Sequence, residues 1–149
     1  MIRNTSPSLP AFLKLITLLM ITLLAGCASL SGNKDAPLQR TQWQLTEVQG
    51  YKITTKEGEQ AAYIKLSPAG KVSGHSGCNQ IFGQYHLQDS LISFSRMAST
   101  RKACMGRADE TERYMLDMLK SPLMWVVKGE RLVFFDNQQV VVARFKSVY

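Results

Sequence analysis

The run Ser73-Gly74-His75-Ser76-Gly77-Cys78-Asn79, followed by Phe82-Gly83-Gln84-Tyr85 and then Met97-Ala98-Ser99-Thr100-Arg101-Lys102-Ala103-Cys104, decides how this chain folds. Gly74, Gly77 and Gly83 permit positive φ or close backbone approach, as a tight crossing between strands needs. Asn79 tolerates left-handed geometry and can bond its own backbone. Between the two cysteine-bearing segments, Tyr85-His86-Leu87 and Leu91-Ile92-Ser93-Phe94 flank the polar turn Gln88-Asp89-Ser90, the pattern of a hairpin.

Working outward, strand signals dominate. Upstream, Tyr63-Ile64-Lys65-Leu66 and Lys71-Val72-Ser73 flank Ser67-Pro68-Ala69-Gly70, where Pro at the second position and Gly at the fourth suit a type I turn. Further back, Trp43 and Leu45 alternate with polar neighbours. Downstream, Met124 to Val127 and Arg131 to Phe135 flank Lys128-Gly129-Glu130, and Asp136-Asn137-Gln138-Gln139 turns the chain into Val140 to Lys146, a closing meander. One helix interrupts the strands. Asp109 is its expected N-cap, with Glu112 as capping-box partner. Met115, Met118, Leu119 and Pro122 recur at helical spacing with Tyr114 alongside, and Ser121-Pro122 ends the helix. The methionine stripe is expected to pack on the sheet. The prediction is an α+β domain: a small curved antiparallel β-sheet with one covering α-helix. The expected core is Leu66, Val72, Leu87, Ile92, Phe94, Trp125, Val127, Leu132, Phe134, Val141 and Phe145.

The other end of the chain carries an address. Residues 1–14 hold Arg3 and Lys14 and no acid, and Leu15 to Leu24 is a ten-residue apolar run. That run rises only about 15 Å as a helix, half a bilayer core. Leu24-Ala25-Gly26-Cys27 follows. A basic region, a short apolar region and small residues before a cleavage point make a secretory signal. Leu-Ala-Gly-Cys resembles the bacterial lipobox, which implies cleavage before Cys27 and diacylglyceryl and acyl chains on it. Several chains at about 0.8 kcal/mol per buried CH₂ hold a protein on a membrane. Ala28 stands where retained inner-membrane lipoproteins often carry Asp, so the expected location is the outer membrane, facing the periplasm. The expected organisation is residues 1–26 as signal peptide, 27–39 as flexible tether and 40–149 as domain.

The full chain has 149 residues, with 18 Lys and Arg against 11 Asp and Glu. That length suits one domain, and 19% charged residues exclude a disordered chain. Removing residues 1–26 leaves 16 basic and 11 acidic side chains, a mild excess. In sequence the basic residues cluster only at Arg101-Lys102. A nucleic-acid partner is not expected in an envelope; weak attraction to anionic lipid or lipopolysaccharide is.

Gly-x-x-Gly-Cys-Asn at 74–79, Gly-x-Tyr at 83–85 and Met-Ala-x-Thr-x-x-x-Cys at 97–104, in this order, resemble the META domain, the HslJ-like family. Trp43-x-Leu45, the helix after Cys104 and the final hairpin fit the same pattern. The resemblance implies a small α+β fold and a stress-induced, often lipid-anchored or secreted envelope protein, with links to antibiotic tolerance. It brings no agreed biochemical activity.

Candidate chemistry is sparse. Gly74, His75, Gly77 and Asn79 form a candidate binding loop or, alternatively, a strand crossing that only small residues make. Cys78 with His75 or His86 is a thiol–base pair in principle. Cys104 competes, because lipidation of Cys27 leaves an even pair, Cys78 and Cys104, in an oxidising compartment. The two lie 26 positions apart across one hairpin, so a disulfide is expected; two free buried thiols or a reactive Cys78 are the competing readings. His75, Cys78, His86 and Cys104 have zinc-ligand atoms but no C-x-x-C or H-x-x-x-H spacing, so neither metal nor cofactor is predicted. No catalytic residue is assigned. The leading expectation is a non-enzymatic envelope lipoprotein acting by binding, its partners the membrane through Cys27 and an envelope protein. The alternatives are a pilotin-like assembly factor that binds a peptide of an outer-membrane protein and a thiol or metal enzyme.

Overall fold

A computed structural model describes residues 34–149. The signal-peptide and Cys27 readings lie outside the described residues. The elements in chain order are β1 (Gln42–Val48), β2 (Tyr51–Lys52), β3 (Tyr63–Leu66), β4 (Lys71–His75), β5 (Gln80–Gln88), β6 (Leu91–Ser99), α1 (Arg107–Met118), β7 (Leu123–Lys128), β8 (Arg131–Phe135) and β9 (Val141–Val148). All strand pairings are antiparallel, so the α+β expectation holds.

The sheet corrects the expected small curved sheet in one respect. It has nine strands, and β1 pairs not only with β3 but also with β9, from Gln42↔Val148 to Val48↔Ala143. The ladder β1-β3-β4-β5-β6-β7-β8-β9 thus returns to β1, with β2 added beside Glu47 and Val48. Closure removes the free end strands that a sheet otherwise has to protect. Within the closed ladder the shortest join is β6 to β7, paired only at Leu91↔Met124 and Ile92↔Leu123. The chain between these strands contains α1, whose Leu116 and Leu119 line a groove together with β6 residues Phe94 to Ser99.

Inside are Trp43, Leu45, Ile64, Leu66, Ile81, Ile92, Leu132, Phe134 and Phe145, all essentially without solvent contact. Phe134 sits between Phe145 and Phe94 in edge-to-face pairs, with centroids 5.3 and 6.3 Å apart. Such pairing contributes beyond the area buried. Met115, Met118 and Leu119 are buried, as the stripe predicts, whereas Pro122 is exposed. Leu87, Phe94, Trp125 and Val127 pack partly buried against the core. Val141 does not belong to the core. A bulge at Val142, between the pairs Phe134↔Ala143 and Phe135↔Val141, interrupts the alternation, so Ala143 stays inside with Phe145 while Val141 leaves the core. A second bulge in β1, after Leu45, puts Val48 rather than Glu47 inside.

Two boundaries move. Residues 35–39, read from composition as tether, are packed on the domain. Ala36 and Leu38 are buried, Ala36 N donates to Gly129 O at 2.8 Å, and Trp43 Nε1 donates to Leu38 O at 2.9 Å. The helix begins at Arg107 after Gly106, with no side-chain cap; Asp109 and Glu110 fall in its first turn, where the helix dipole favours acids. Glu112 therefore closes no capping box.

Candidate functional site

The Gly, Cys and Asn signals of the central sequence converge at one corner, where the β4–β5 connection meets the exit of β6 and the start of α1. The connection is only Ser76-Gly77-Cys78-Asn79. It is folded on itself: Ser76 N donates to Asn79 O at 2.8 Å, and Asn79 N donates to Ser76 Oγ at 2.9 Å. Gly77 has φ +99°, a conformation that disfavours any Cβ. Gly74 lies in β4, where a Cβ would collide with the Tyr63 carbonyl of β3. The glycines are thus required by the crossing itself.

Asn79 ties the corner together. Its Nδ2 donates to Glu112 Oε2 at 2.9 Å and to Lys102 O at 3.1 Å. Its Oδ1 accepts from Lys102 N at 2.7 Å and from Thr100 Oγ1 at 2.8 Å. Both amide hydrogens and both lone pairs have partners, and the side chain is buried. Asn79 therefore joins three segments and has no free donor or acceptor for a ligand. Glu112 is drawn here instead of to a cap. Cys78 and Cys104 form a disulfide with Cα atoms 6.0 Å apart, so a thiolate nucleophile at Cys78 has no place in this structure.

His75 is half-buried at the end of β4 and accepts from Gly77 N through Nδ1 at 3.1 Å. Desolvation first, and then the nearby Lys102 charge, hold its pKa below the ordinary 6.5, with Glu112 opposing them. His86 is exposed in the middle of β5, pairs with Ser93 and joins no cluster with His75. Among the described residues no group of three or more His, Cys, Asp or Glu is placed to hold a metal. Beside the corner, a groove of about 300 Å³ lies between Ile53 to Ala62 and the start of α1, floored by Gly77 and Thr111.

Sequence reasoning singled out Asn79, Cys78 and Cys104 but missed Thr100, Lys102 and Glu112 as their partners. It also missed the gathering of Lys128, Arg131 and Lys146. Those three cations are directly opposed on adjacent strands, Lys128↔Arg131 and Arg131↔Lys146, although 18 positions separate the first from the last.

A closed antiparallel sheet with one helix, braced by a disulfide and a buried asparagine, defines the class: a small disulfide-braced α+β domain. Residues 36–149 match the family model META domain, and the chain belongs to that family. Two solved structures are similar to it. One NMR structure has a TM-score of 0.60 at 23% identity, covering 73% of this chain and 90% of that one. An NMR structure of a protein from Burkholderia xenovorans has a TM-score of 0.58 at 24% identity, covering 74% and 83% respectively. At these identities the likeness is one of fold. No curated protein matches the chain.

Proposed function

We propose that this META-domain protein is a lipoprotein of the bacterial envelope, anchored through Cys27 on the periplasmic face of the outer membrane, and that it acts by binding in stress response or envelope integrity. The observation that carries this is Leu24-Ala25-Gly26-Cys27 behind a ten-residue apolar run, in a chain whose other two cysteines are bonded to each other. Membership of the family supports an envelope-associated, non-enzymatic role. The polar groups of the central corner support it too, since they hold the fold and leave no nucleophile. Mass spectrometry of the protein from bacterial membranes should find acylated Cys27 as the first residue, and Cys27→Ser should leave an uncut precursor. A mature chain that starts elsewhere and carries no lipid would refute the anchoring.

A second reading is favoured by the β6–α1 join. Beyond Ile92, β6 pairs with no strand on that side among the described residues, and the groove there is lined by Phe94, Met97, Leu116 and Leu119. An extended peptide from an envelope partner could add to this edge, as a pilotin-like role requires. A photo-crosslinker at Leu116 that traps one outer-membrane protein in intact cells would support it. Equal trapping by a crosslinker at Lys71, on β4, would count against it.

A further inference from the structure

We infer that the β7–β8–β9 corner is the membrane-facing surface of the anchored domain and rests on anionic lipid headgroups. This builds on the lipid anchor proposed above. Two observations meet at this corner. The first is where the described chain begins. Asp35 Oδ1 accepts from Gly129 N at 2.6 Å and Ala36 N donates to Gly129 O at 2.8 Å, so the chain enters the domain at the tip of the β7–β8 hairpin. Eight peptide units span Cys27 to Asp35. Even fully extended they reach about 28 Å, so the hairpin tip cannot lie farther than that from the lipidated residue.

The second observation is charge. Lys128 and Arg131 flank the hairpin turn and oppose each other, and Arg131 opposes Lys146. Directly opposed side chains share a face of the sheet with Cβ atoms about 5 Å apart, and like charges so placed repel. All three are exposed, as is Lys34 beside the point of entry. None of the four forms an ion pair among the described residues; the pairs found there are Lys120–Asp117 and Arg144–Glu47. Glu130, in the turn, and Asp35, bound to Gly129, are the acids of the corner and leave it net positive. A ladder of cations that repel one another in the free domain gains an attractive partner when it faces phosphate groups within a Debye length, about 8–10 Å. The tether confines it near such groups.

The test uses the purified full-length lipidated protein in vesicles of phosphatidylcholine alone or with a third phosphatidylglycerol. Amine acetylation is followed residue by residue by mass spectrometry. Lys34, Lys128 and Lys146 should react at least threefold more slowly in the anionic vesicles. Lys71, on β4 across the closed sheet, and Lys102 should be unchanged, and 0.5 M salt should abolish the difference. Equal rates at all sites, or uniform protection of all lysines, would overturn the orientation. Lys128→Gln/Arg131→Gln/Lys146→Gln should remove the protection of Lys34. If Cys27 proves unacylated, the anchoring reading alone fails. Flotation of the chain with anionic vesicles then reads the patch: a loss of binding in the triple variant supports it, and equal flotation overturns it.

Discussion

The corner around Asn79 and the corner around Gly129 are built on opposite plans. At the first, every strong feature of the sequence is consumed internally: two cysteines in a disulfide, an asparagine with four satisfied hydrogen-bond positions, a glycine at φ +99° and a glutamate turned inward. At the second, no residue stands out in sequence, yet strand pairing brings three exposed cations into a row. The residues most conspicuous in the chain hold it together, while the exposed charge comes from residues that look ordinary. A buried polar group without partners is costly, so the Asn79 corner is complete; exposed lysines carry little such cost and can remain open to an external partner.

Each corner can be broken separately. The largest effect is expected from Cys78→Ser with Cys104→Ser. Freeing a loop of 26 residues should lower stability by roughly 3.5 kcal/mol, or about 10–15 °C in melting temperature. Alkylation of the denatured, non-reduced wild-type chain should modify neither cysteine; two modified thiols would contradict the bridge. Asn79→Ala comes next. It strands Lys102 N, Thr100 Oγ1 and Glu112, and chemical denaturation should show a loss of about 2–3 kcal/mol with the disulfide intact. A loss below about 0.5 kcal/mol would mean that the disulfide alone braces the corner.

The pH response is smaller. Because the fold depresses the His75 pKa, the unfolded chain binds more protons in the window just below pH 6.5. The contribution of His75 should be complete above pH 6.5 and should fall as pH drops through that window. His75→Gln should flatten this part of a stability–pH curve, and an unaltered curve would exclude His75 as its source. The smallest effect belongs to the cationic corner. Lys128→Gln/Arg131→Gln should leave stability unchanged or raise it by about 0.2–1 kcal/mol at low salt, since it relieves cross-strand repulsion. A clear loss of stability would assign these cations a structural partner and weaken the membrane-facing role.

Much of the fold was legible because it is local. The hairpins at Ser67–Gly70, Asp89–Ser90 and Gly129–Glu130 follow from turn residues between alternating runs, and Gly70, Asp89 and Gly129 take the positive φ such turns need. The methionine stripe of α1 follows from helical spacing. Less visible were the bulges that turn Val141 out of the core and put Val48 inside instead of Glu47, since an extra residue in a strand leaves no mark in an alternation pattern. The docking of Ala36 and Leu38 was hidden for another reason: two apolar residues make too short a pattern to read, and their partners, Gly129 and the Trp43 indole, bind backbone groups that carry no residue signature.

By itself the sequence determined the strands, the helix, the cysteine pair open to bridging and the family motif, because turn chemistry, periodicity and cysteine count act over short range or by counting. Only the tertiary structure decided that β1 meets β9 to close the sheet, that Asn79 engages Glu112, and that Lys128, Arg131 and Lys146 stand side by side. Each joins residues far apart in the chain, and such contacts are selected by the packing of the whole core around Trp43, Phe134 and Phe145, which no local pattern encodes.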